Sequence, residues 1–147
     1  MTDRFPERRL PHVLLGRASL AGNEYAWRVE DIPEVIEAAR RTGLVSLGGQ
    51  LQFRLPGPVG GTCDCYWVEV DTSAEAPPSL TWAERVETAA NAAAADFRSL
   101  RGEFDFAAVG RGWPVLVEFE TTGGSLPDAM WFVWCISEEN GASRTEA

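Results

Sequence analysis

Lysine is missing from this chain. All 13 basic residues are arginine and they face 22 acidic ones, giving a formal charge of −9 and an isoelectric point near 4.6. A chain so negative repels the phosphate backbone, which excludes nucleic-acid binding by charge neutralisation. There is one histidine, His12, so neither an HExxH zinc site nor a multi-histidine metal centre can be assembled, and any Ser-His or Cys-His pair depends on that residue. The phosphate-binding GxxxxGK, the dinucleotide GxGxxG and the hydrolase GxSxG are all lacking, the last missed by one residue in the run Gly43 to Gly48. No apolar run reaches 18 residues and Met1 to Pro11 has no apolar core, so the expectation is a cytoplasmic protein without membrane contact. Three cysteines, Cys63, Cys65 and Cys135, are too few and too oddly spaced for a disulfide framework or a zinc cage, and read as reduced thiols. No cofactor or metal is expected.

What is present is a balanced composition, 45% hydrophobic and 24% charged over 147 residues, which suits one domain with an ordered core over about 10–139 and loose ends at 1–9 and 140–147. Two helices are predicted. Over 31–42, Asp31 and Glu34 have capping-box spacing, Pro33 lies in the first turn, Ile32, Val35, Ile36 and Ala39 recur at helical period, and Gly43 stops the run. Over 81–101, Thr81 and Glu84 repeat the cap, and Trp82, Val86, Ala89, Ala93, Phe97 and Leu100 form one stripe. Strands are predicted over 12–18, 45–54, 65–71, 114–120 and 129–136, with loops at 56–61 and 74–78. The expected fold is α+β: a single, mainly antiparallel sheet with two helices packed on one face, in the order β-α-β-β-α-β-β. Gly48-Gly49 inside a strand marks a bulge or a close backbone approach.

Strand alternation places Trp67, Glu69 and Asp71 on one side, and Glu118 and Glu120 on one side of the 114–120 strand. If the valine rows face the helices, these five residues gather on the open face as an acidic surface with an aromatic centre. The charge distribution agrees, since residues 63–105 carry −6 and 106–147 carry −4. Six tryptophans supply anchors of the kind that dominate binding energy. The strand from Met130 to Ile136 is apolar on both sides, so it is either central and doubly covered or a surface on which two copies pair.

The segment Tyr25-Ala26-Trp27, the helix after Asp31, the run Leu47-Gly48-Gly49, the aromatic strand Tyr66-Trp67 and the helix opening at Trp82 together resemble the Immunity protein 40 family of bacterial polymorphic-toxin systems, over roughly residues 25–100. Gln50 stands where the family pattern has an acidic residue. The resemblance implies an intracellular α+β protein that binds and blocks a cognate toxin, usually one encoded beside it. The reading is therefore a non-enzymatic binder of a protein with a basic cleft, through Trp67, Glu69, Asp71, Glu118 and Glu120. The alternatives are a small-molecule-binding or regulatory domain with its ligand between helices and sheet, and a hydrolase built on Glu118 or Glu120.

Overall fold

The computed structural model describes residues 5–56, 61–69 and 80–139, with 66–69 described by backbone alone. The predicted loops at 56–61 and 74–78, Asp71 and the C-terminal residues from 140 lie wholly or largely outside that description. After a 3₁₀ turn over Pro6–Arg9 come α1 (His12–Arg17), the hairpin β1 (Ser19–Ala21) and β2 (Glu24–Trp27), and α2 (Ile32–Thr42). A second hairpin follows, β3 (Val45–Arg54) and β4 (Thr62–Glu69). The long α3 (Trp82–Glu103) leads into α4 (Phe106–Gly110), α5 (Pro114–Thr121) and α6 (Leu126–Ala129), and β5 (Met130–Ser137) closes the described chain. The five strands among the described residues join one antiparallel sheet in the order β1-β2-β5-β3-β4, and the fold is α+β as expected.

The predicted order lacks the short helices α4 and α6 and needs three further corrections. Residues 12–17 are helical: Leu14 and Leu15 both donate their N–H to the Pro11 carbonyl, and Leu14 is buried. A short run apolar on all sides does not distinguish a buried helical turn from a strand. The 114–120 segment is also a helix. Pro114 sits in its first turn, where the missing N–H costs nothing, and only Leu116 is buried, so the valine alternation has no sheet to face. The β1–β2 hairpin was not foreseen. It turns on Gly22-Asn23, with Gly22 at φ 62, a two-residue loop whose first position needs the left-handed conformation glycine supplies.

The two long helices follow their patterns. Thr81 Oγ1 accepts from the Glu84 N–H at 3.1 Å and the Glu84 carboxylate accepts from the Thr81 N–H at 2.9 Å, a complete capping box. At Asp31 no such box forms, because Asp31 and Glu34 both turn to Arg17 of α1. α2 ends at Gly43 in the left-handed conformation, φ 81. Ile32, Val35, Ile36 and Ala39 of α2 and Ala90, Ala93, Phe97 and Leu100 of α3 share one core cluster with Leu51, Phe53, Phe132, Trp134 and Ile136 of the sheet, so both helices cover the same sheet face. Phe97 meets Phe132 and Trp134 edge-on, at ring distances of 5.1 and 6.2 Å. Trp27 joins this core and donates its indole N–H to the Leu14 carbonyl at 2.8 Å, which ties α1 to the sheet.

The doubly apolar strand is central: β5 pairs with β2 on one side and β3 on the other, and Phe132, Val133, Trp134 and Ile136 are buried within the one chain. It has no free edge for a second copy. At the Gly pair both anticipated devices occur. The β3–β5 register slips between Ser46 and Gly48, where Gly48 has φ 118, and Gly49 lies against the β5 backbone.

The cap at Thr81 supports a direct expectation. Thr81→Ala should lower stability by about 1 kcal/mol in urea unfolding at neutral pH. The bond from Thr81 holds the Glu84 carboxyl below its ordinary value of 4.5. That bond comes from the Thr81 backbone N–H, which alanine keeps; its share of the stability is complete above that value and is lost as pH falls through the lowered one, and most of this acid loss should be common to wild type and variant. A variant equal to wild type at pH 7 would show that the cap contributes nothing.

Candidate functional site

The sheet face turned away from α2 and α3 is polar. Gln50 and Gln52 of β3 lie there, 2% and 1% exposed. Their amides donate to the two oxygens of Glu24 on β2, each at 3.3 Å, and Gln52 also donates to Asp64 of β4 at 2.6 Å. Arg54 closes the cluster. It donates to Gln52 at 2.7 Å, to the Ser19 carbonyl and hydroxyl at 2.7 and 2.8 Å, and to the Glu24 carbonyl at 3.0 Å. Burial pushes the Arg54 pKa down while Glu24 and Asp64 push it back. Ser19 is on β1, three strands from β3, a span of about 14 Å across a flat sheet and more than an arginine side chain covers. The sheet must therefore curl toward this face. The network positions strands and commits the guanidinium, so it reads as a structural lock.

Cys63, Cys65 and Cys135 are free thiols. Burial is the first cause that pushes Cys65 up to about 12 and Cys135 up to about 11, which makes both poor nucleophiles at neutral pH. Among the described residues no group of three or more His, Cys, Asp and Glu could hold a metal ion. Among them, too, no helix is long and apolar enough to cross a membrane.

The five residues expected to share an open sheet face are not arranged that way. Trp67 and Glu69 are in β4, with backbones opposite Gln50 and Gly48, and β4 is an edge strand. Asp71 lies outside the described residues. Glu118 and Glu120 are on α5 and cannot belong to a strand face. Glu120 accepts two hydrogen bonds from Arg111, at 3.0 and 2.9 Å, and this pairing holds its carboxyl below the usual range.

In place of the expected face, an acidic and aromatic surface arises on the short helices. Phe104, Trp113, Val115 and Val117 are 37%, 43%, 50% and 42% exposed, unusual for such large apolar side chains in one 14-residue stretch. Trp113 precedes α5, so Val117 lies one turn on, and Val115 neighbours Glu118 at i+3. Asp105, which caps α4 through the Ala108 N–H, and Glu103 add carboxylates at the α3–α4 junction. α4 packs against β4, and its Gly110 meets Phe53, which pairs with Cys63 near the start of that edge strand. Sequence reasoning missed Trp113 because it lay outside the supposed strand; Pro114 in the next position was the available signal for a helix start. No family model, no curated protein and no solved structure matches the chain.

Proposed function

We propose that this chain is a non-enzymatic binding protein of the immunity type, which neutralises a cognate basic toxin in the cytoplasm by occupying its cleft. The observation that carries the reading is the exposed Trp113–Val117 pair beside Glu118, on the −4 segment of a −9 chain. A field of this sign steers a basic partner into encounter, and a tryptophan that becomes buried then holds it. Glu118 keeps its predicted role on a new element, and Trp113 takes the place of aromatic anchor that the sequence reading gave to Trp67. Glu120 is committed to Arg111 and serves to position α5.

The test is a titration against any toxic domain found encoded next to the gene for this chain, with protection of cells expressing that domain as the biological readout. Trp113→Ala should cost about 2 kcal/mol of binding, mainly through faster dissociation. Glu118→Gln should slow association and flatten its salt dependence with the fold unchanged by circular dichroism. Full protection by both variants would remove this surface from consideration, and absence of any complex would remove the immunity reading itself.

A further inference from the structure

α2 and α3 run antiparallel. Arg40 near the end of α2 bonds Glu87 in the first half of α3, and Pro33 and Ile36 at the start of α2 come level with Ala94, Phe97 and Gly102. At this second end the helices flank an open groove of about 540 Å³, within the range of small-ligand sites. Its floor is apolar, made by Pro33, Ile36, Ala94 and Phe97, and its rim carries Arg98 and Arg101.

The two arginines differ from the rest. Among the described residues every other arginine has a hydrogen-bond, ion-pair or ring partner: Arg9, Arg17, Arg40, Arg41 and Arg111 pair with carboxylates, Arg28 with backbone carbonyls and the Trp131 ring, and Arg54 with the sheet network. Arg8 and Arg85 lie over Phe5 and Trp82. Arg98 and Arg101 alone among them make no such contact. They are neighbours at i and i+3, so their charges repel, in a chain with nine negative charges to spare. Their place near the C-terminal end of α3 suits the helix dipole, but that does not account for their flanking an apolar groove.

We propose that this groove binds a small amphipathic carboxylate, with its alkyl body along Pro33 and Ala94, over the buried Ile36 and Phe97, and its anionic head between the guanidiniums of Arg98 and Arg101. Charge complementarity selects an anion, since the nearby Glu34 and Glu37 are already held by Arg17, Arg40 and Arg41. The apolar floor selects against a bare inorganic ion, which gains nothing from it. Arginine's planar donor fork matches a carboxylate in two-point contact. The site stands apart from toxin capture on α4–α5 and does not depend on it.

The probe is decanoate, titrated into the full chain while backbone amide shifts are followed by NMR, with acetate and decyltrimethylammonium as the head-only and opposite-charge controls. Saturable shifts centred on residues 34–36 and 94–102 are expected with decanoate alone. Arg98→Gln combined with Arg101→Gln should weaken it roughly tenfold or more, and Ala94→Phe, which fills the groove and keeps both charges, should do the same. Both arginines are exposed, so the double variant carries the test if Ala94→Phe fails to fold. Shifts centred elsewhere, equal binding of the ammonium analogue or of acetate, or an unweakened double variant would overturn the proposal.

Discussion

Gly49→Val is expected to leave no folded protein, and Gly49→Ala to lose more than about 3 kcal/mol, beyond the usual range for overpacking. A Cβ at position 49 would run into the Val133 carbonyl oxygen and lie 2.9 Å from Cε3 of Trp134. The first obstacle is backbone of the central strand, which no rotamer change can move aside. Relief would require β3 and β5 to separate, and with them the register from Val45–Ser137 to Phe53–Met130. Gly16 makes the contrast. It lies inside α1 with nothing within 4 Å of an added Cβ, so Gly16→Ala should be neutral or stabilising by about 0.5–1 kcal/mol. Urea unfolding of both alanine variants decides the matter. Near-native stability of Gly49→Ala would mean that the strands are less closely apposed than the structure shows.

Arg54→Leu should be the next most damaging change, at about 3 kcal/mol, or a fall of roughly 10 °C in melting temperature for a domain of this size. The leucine fits the stem but abandons the Ser19 and Glu24 carbonyls and leaves Glu24 and Asp64 sharing the cluster without a cation. Orphaned acceptors each cost about 1–3 kcal/mol when fully buried, and the total is discounted because Arg54 is only about half-buried. Arg54→Lys keeps the charge but has one nitrogen where the guanidinium uses three, so it should recover only part of the loss. A loss under about 1 kcal/mol for Arg54→Leu would show that the curl of the sheet is held elsewhere.

How far the structure was legible in the sequence depends on how local each signal is. α3 could be read because Thr81 and Glu84 satisfy each other within one turn and the stripe from Val86 to Leu100 repeats often enough to define a period. α2 could be read from its stripe and from Gly43, although its cap was misassigned: Asp31 and Glu34 had a better partner in Arg17, on an element thought to be a strand. The Gly48-Gly49 reading held because a glycine pair in a strand has few physical uses. α1 and α5 were lost because six or eight residues are too few to separate a period of 3.6 from one of 2 when apolar residues satisfy both, Val13 to Leu15 in α1 and Val115 to Val117 in α5. That error displaced the candidate site, since the side on which Glu118 points depends on the element that carries it. The polar network was beyond reach of spacing altogether. Gln50 and Gln52 announce a polar face, but their partner Glu24 lies 26 and 28 residues earlier, on a strand brought near only by the curl.

β5 is the last described strand in the chain and the middle one in the sheet. β1 and β2 share no border with β3 and β4 until residues 130–137 slide between them. During synthesis the two hairpins must therefore wait as separate pieces, with Trp27 and Phe53 exposed to water and the unpaired sides of β2 and β3 open to each other or to another chain. Closing loops of this length is what slows folding in sheets of non-local topology. The growing chain is thus most vulnerable to mispairing after its first hairpins have formed and before the segment beginning at Met130 has left the ribosome, and a chaperone that shields strand edges would act in that interval.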